Sequence, residues 1–148
     1  MEPAGSNIKL MIESRIENVS LLGGAVRGIA NALSLDELSC YQLELCVVEA
    51  VSNATKHAYH SEQGHPVEVD VLLFRDRITF KISDQGDSLK SPKVKLLRFD
   101  PQNLETVPES GMGLFIMHAL MDEVSYETVS GRNILTMSKY LRKQGPSV

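Results

Sequence analysis

Leu38-Ser-Cys-Tyr-Gln-Leu-Glu-Leu-Cys-Val-Val-Glu49-Ala-Val-Ser-Asn53-Ala-Thr-Lys-His57-Ala-Tyr59 is the stretch on which the fold turns. Leu38, Leu45, Val48 and Val51 recur at helical spacing, and Ser34-Leu-Asp-Glu37 just before them supplies capping chemistry, with either Ser34 or Asp36 as the cap. The pattern predicts a helix running to about Tyr59. Glu49, Asn53 and His57 stand four residues apart on it and share one face, with Ala50, Val51 and Ala54 on the others. A polar stripe on a largely apolar helix is most often a solvated surface, so its meaning depends on what the rest of the chain brings to it.

Working outward, Asn7 to Glu13 alternates Ile8, Leu10 and Ile12 with polar neighbours, the period of a half-buried strand. Val19 to Leu33 carries Leu22, Val26, Ile29, Ala30 and Leu33 at helical spacing despite Gly23, Gly24 and Gly28, and predicts a helix. Val67 to Phe74 and Ile78 to Ser83 are rich in β-branched and aromatic residues around Arg75-Asp76-Arg77, and predict a hairpin. A helix from about Gly113 to Met121 is followed by strands Val124 to Val129 and Ile134 to Tyr140 about Ser130-Gly131, and Gln144 to Val148 forms a frayed tail. Between Gln85 and Ser110, Pro92, Pro101 and Pro108 interrupt a stretch without periodicity, longer than the ~12 to 15 residues usual for a structureless loop. Such loops serve as lids or binding loops. Two hairpins and irregular alternation imply an α+β two-layer sandwich, in which an antiparallel or mixed sheet carries helices on one face.

The 148 residues fit one domain spanning 1–148, and 43% apolar content suits a real core. Fifteen Lys and Arg against 19 Asp and Glu leave a net charge of -4, which gives no electrostatic footing for direct nucleic-acid binding. No apolar run approaches the ~18 residues of a membrane span and no leader pattern opens the chain, so the expectation is a soluble, cytoplasmic protein. Cys40 and Cys46 lie within one predicted helix without metal-ligand companions and are expected to be reduced core residues.

Two further segments change the weight of the polar stripe. Asp84 ends a buried-looking strand, where an unpaired carboxylate is costly, so it needs a donor, and an exocyclic amine of adenine is one candidate. Gly86 follows, and a residue without Cβ lets a planar base approach the backbone. Gly111-Met112-Gly113 opens the helix through Leu114, whose free amides and positive dipole end suit phosphate oxygens. Beside a triphosphate, the Asn53 side-chain oxygen is a hard ligand suited to Mg²⁺, and Glu49, one turn earlier, is placed to accept a proton from an attacking hydroxyl. Each segment alone is weak; in order, they describe one ATP site.

At these residues the chain resembles the GHKL family of ATP-binding domains, and within it the bacterial anti-sigma-factor serine/threonine kinases. Glu49-Ala-Val-Ser-Asn53-Ala with His57-Ala-Tyr59 resembles the family's N box, Ile82-Ser-Asp84-Gln-Gly86-Asp its first glycine box, Phe99-Asp-Pro101 a lid motif, and Ser110-Gly-Met-Gly-Leu-Phe-Ile-Met117 its second glycine box. The resemblance implies the Bergerat two-layer sandwich, with a lid over about 87–110. It implies ATP and Mg²⁺ as cofactors, a homodimer, a sigma factor as sequestered partner, and a STAS-like antagonist phosphorylated on serine. By the same resemblance Glu49 is the base, Asn53 holds Mg²⁺, and His57, Asp84, Gly86, Gly111, Met112, Gly113 and Leu114 shape the nucleotide pocket. Thr136 on the last strand corresponds to a position near the adenine. Asp87-Ser88 stands where many relatives have a second glycine, so lid geometry departs from the pattern. Of the basic run Lys90, Lys93, Lys95 and Arg98, Arg98 ranks first for triphosphate contact, against a solvated loop face.

The alternative from another class is a non-catalytic ATP-binding regulatory module of the same fold. A histidine-kinase catalytic half is disfavoured, since no separate helical segment with a phosphate-accepting histidine precedes the domain, and a chaperone-type ATPase would need transducer domains.

Overall fold

The computed structural model describes residues 5–88, 95, 96 and 112–141. Within them, alternation of apolar and polar residues is turned into one antiparallel sheet of six strands: β1 (Ser6–Glu13), β2 (Pro66–Leu73), β3 (Arg77–Asp84), β4 (Lys95–Leu96), β5 (Glu123–Val129) and β6 (Arg132–Tyr140), in the order β1-β2-β3-β6-β5-β4. The registers stack like with like. Val71, Phe80, Met137 and Val124 form one cross-strand row, and Val69, Ile82, Leu135 and Tyr126 form the next. All eight side chains are buried, because three helices cover this face: α1 (Ile16–Ala32), α2 (Glu37–Asn53) and α3 (Met112–Leu120). A one-residue slip would turn both rows to solvent, so burial itself fixes the register. The following row, Asp84, Asn133 and Thr128, is polar, and there the apolar layer gives way to the site.

Local chemistry explains the connections. Asp36 caps α2, its side chain accepting from the Ser39 amide at 2.8 Å. Hydrogen bonds from the Ser39 side chain and then from its amide hold the Asp36 carboxyl below the usual carboxylate value. Ser34, the other candidate cap, instead ends α1: it takes φ 59°, while its amide donates to Asn31 O at 3.0 Å and the Leu35 amide to Ala30 O at 3.3 Å. This is the paired closure of a left-handed C-terminal cap, with serine where glycine is common. Ser130 (φ 51°) and Gly131 (φ 75°) make the two-residue turn between β5 and β6, both in the left-handed region that such hairpins require.

Three elements depart from the expectation. α1 begins at Ile16, three residues before Val19, following the extended Arg15. The helix expected to continue to Tyr59 changes at Asn53 into a π-helical turn, Ala54–Ala58, closed by the Tyr59 amide on Ala54 O at 3.1 Å. β4, within the stretch expected to be a lid, pairs Lys95 with Tyr126 and Leu96 with Ser125. Cys40 and Cys46 are free and buried in the core as expected, and desolvation pushes the Cys46 thiol up to about 12, which keeps it unreactive. Among the described residues no helix is long and apolar enough to cross a membrane.

The glycines of α1 are not equivalent. A Cβ on Gly23 would lie 2.6 Å from Val48 Cγ2 on α2, whereas one on Gly24 or Gly28 meets nothing within 4 Å. Gly28→Ala is therefore expected to stabilise the fold by about 0.5–1 kcal/mol through lost unfolded-state entropy. Gly23→Ala is expected to destabilise it by about 1 kcal/mol or more, because overpacking against Val48 exceeds that gain. Urea denaturation of the two variants checks the contrast, which fails if both shift the midpoint the same way.

Candidate functional site

A cavity of about 340 Å³ opens where α2, its π-turn, the polar ends of β3 and β6 and the start of α3 meet. This is the size of a small-molecule pocket. Its apolar walls come from Ala50 and Ala54 on the helix side and from Ile82, Leu135 and Tyr126 on the sheet, a slot suited to a flat ring. Asn53, His57, Asp84 and Leu114, each expected at the site, line it together with Asp87, Ser88 and His60. The helix positions expected to face elsewhere, Ala50 and Ala54, belong to the wall as well. Small side chains there leave the space that larger ones would fill.

Glu49 lies at the neighbouring edge. A Cβ on Gly113 would sit 2.8 Å from Glu49 Oε2 and 3.2 Å from Asn53 Nδ2, so the carboxylate and the amide both reach the first turn of α3. The missing Cβ of Gly113 leaves room for that approach. The Lys139 ammonium donates to Leu120 O at 2.9 Å and so closes the other end of α3.

Asp84 has found donors within the protein. Its Oδ1 accepts from the Gly86 amide at 3.0 Å and from Asn133 Nδ2 at 2.7 Å. Burial raises its pKa above the usual carboxylate value, and these two hydrogen bonds partly oppose the rise. Tyr59 pins the same turn from behind, its hydroxyl donating to Pro66 O at 2.7 Å and accepting from the Gln85 amide at 2.8 Å. The Tyr59 ring stacks on His65, 4.6 Å between centroids.

Two expected site residues need correction. Gly86 does not owe its lack of Cβ to a base: the Cβ position is 2.3 Å from Ala58 O and 2.6 Å from Ala58 C, so the glycine permits β3's exit loop to pack on the π-turn backbone. Thr136 lies on the sheet face opposite the cavity, because alternation along β6 sends Asn133, Leu135 and Met137 toward the helices and Thr136 away. Gly111, Arg98 and the Phe99-Asp-Pro101 motif lie outside the described residues, as do most of the 87–110 stretch, the tail at 144–148 and the Met112 side chain.

Asn133 is the residue that sequence reasoning missed. Its signal was present: counting out from the turn at Gly131 on the strand's two-residue period places a polar Asn on the helix-facing side, opposite Asp84. Tyr59 gave less to read, since its role depends on backbone groups at 66 and 85 that only the fold brings near it.

Residues 12–139 match the histidine kinase-like ATPase domain. This chain belongs to that family. It groups there with proteins named serine-protein kinase RsbW, being 34% identical over 149 residues to that of Staphylococcus epidermidis, with 97% of this chain and 92% of the relative covered. The RsbW of Oceanobacillus iheyensis is 30% identical over 140 residues, covering 93% and 88% of the two chains. Among solved structures, the RsbU and RsbW domains of Rv1364c from Mycobacterium tuberculosis superpose with a TM-score of 0.66 at 15% identity, over 93% of this chain and 33% of that one. The SiaB-SiaC complex from Pseudomonas aeruginosa gives 0.60 at 12% identity, over 89% of each chain. Both share the fold of this histidine kinase-like ATPase domain.

Proposed function

We propose that this chain is an ATP-dependent anti-sigma factor with protein serine/threonine kinase activity, which phosphorylates a STAS-like antagonist and sequesters a sigma factor in the cytoplasm. The observation that carries the reading is the meeting of Glu49, Asn53 and Gly113 beside a cavity whose far wall holds Asp84. The RsbW relatives, serine-protein kinases by name, support the same chemistry.

In this reading the adenine ring lies in the slot between Ala50, Ala54, Ile82 and Leu135 and donates its amino group to Asp84. The phosphates run toward the amino end of α3, whose first amides have no acceptor within the helix itself and favour negative charge. The serine oxygen of the antagonist attacks the γ-phosphorus, the bond from that phosphorus to the β–γ bridging oxygen breaks, and ADP leaves. Glu49 takes the proton of the attacking hydroxyl. Among the described residues no cluster of three or more His, Cys, Asp or Glu could cage a metal. A lone amide oxygen at Asn53 fits Mg²⁺, an ion that takes its remaining ligands from water and phosphate and offsets phosphate charge when bound. The edge of β1, an eight-residue strand at one end of the sheet, is the surface we assign to a homodimer.

Incubation with radiolabelled ATP and a candidate antagonist tests the reading: wild type is expected to label a serine, and Asn53→Ala to lose ATP binding and transfer together. ATP and sigma-factor binding without transfer to any antagonist would replace the kinase with a non-catalytic regulatory module.

A further inference from the structure

We propose that Asn133 and Thr128 set the base preference of the cavity by holding the Asp84 carboxylate so that it meets a nucleobase only as a hydrogen-bond acceptor. The inference rests on the nucleotide reading of the cavity and assigns its selectivity to two residues on β5 and β6.

Asn133 is 2% exposed, and every polar atom of its side chain is engaged. Thr128 Oγ1 donates to its Oδ1 at 2.9 Å; its Nδ2 donates to Asp84 Oδ1 at 2.7 Å and faces Gly86 O at 3.0 Å and Asp87 O at 3.4 Å. Turning the amide over would set its oxygen against three acceptors, so the network admits one orientation. With the Gly86 amide also on Oδ1 at 3.0 Å, the two donors to Asp84 among the described residues occupy the same carboxylate oxygen. The cavity-facing carboxylate thus offers lone pairs to a ligand. A purine with a 6-amino group supplies the matching N–H, one with hydrogen at that position supplies nothing, and a 6-oxo purine brings lone pair against lone pair. Sites built around a buried polar group reject ligands that leave it unpaired. Thr128 and Asn133 are positioning residues in this scheme: they act on the base through Asp84.

The test compares ATP with purine riboside triphosphate, which lacks only the 6-amino group, by calorimetry on wild type, Asn133→Ala and Thr128→Val. Wild type is expected to prefer ATP by about tenfold or more. Asn133→Ala is expected to reduce that preference to near unity by weakening ATP alone. Thr128→Val, which keeps the side-chain shape, is expected to reduce it by about threefold, and carries the test if the Asn133 variant does not fold. Equal weakening of both nucleotides in the variants would reduce the pair to a structural role and overturn the inference, leaving the nucleotide reading intact. Wild type binding the two nucleotides equally would overturn it too. Wild type binding neither would overturn the nucleotide reading itself.

Discussion

Glu49→Gln is expected to slow phosphoryl transfer by about 100- to 10,000-fold while ATP binding persists. The substitution keeps the shape and reach of the side chain, and removes the carboxylate's negative charge together with its capacity to take up a proton. Binding should survive because the cavity itself is lined by other residues, with Glu49 at its margin near Gly113. Single-turnover transfer to the antagonist, read beside calorimetric ATP affinity, separates the two quantities. A Gln variant that transfers at the wild-type rate removes Glu49 as base, and one that loses nucleotide in proportion makes it a binding residue instead.

Gly86→Ala is the substitution expected to damage the site most through packing. Its Cβ would meet Ala58 O at 2.3 Å, Ala58 C at 2.6 Å and Ala58 Cβ at 2.9 Å. Two of these atoms are backbone, so no change of rotamer relieves the conflict, and the β3 exit loop must move away from the π-turn. That movement stretches the hydrogen bond from the Asp87 amide to Ala58 O, now 2.9 Å, and the one from the Gly86 amide to Asp84 Oδ1. Destabilisation of about 1–3 kcal/mol is expected from the overpacking. Calorimetry on the folded variant should show ATP affinity reduced by about tenfold or more, since one charge-assisted donor to Asp84 is displaced. Unchanged stability in urea together with unchanged affinity would mean that the two segments can separate without cost.

The fold was legible where period and burial agree. Val67, Val69 and Val71 alternate with polar residues and are fully buried, and the strand built from them lies where that alternation predicts. The turn at Ser130-Gly131 and the capping chemistry before Glu37 marked element ends, though the choice between Ser34 and Asp36 needed the chain's return from α1. The site was legible as a set of residues more than as an arrangement. Asn53, Asp84 and Leu114 converge from three distant segments. The π-turn after Asn53 was not legible, because its wider winding is held by Tyr59, whose hydroxyl bonds to Pro66 and Gln85. Thr136 illustrates the other limit: on a strand, a one-residue error in register moves a side chain to the wrong face, and the cavity falls to Leu135.

The ammonium of Lys139 on the last carbonyl of α3 has a mechanical consequence. It makes that end of the rod a fulcrum. With nine residues and a length of about 13 Å, a tilt of about 5° about the anchored end carries the opposite tip through about 1 Å. Gly113 rides near that tip, against Glu49 and Asn53. A rotation of that size would change the separation of Gly113 from Glu49 and Asn53 by about an ångström, so the bond at Lys139 sets the spacing at the far tip of this short lever.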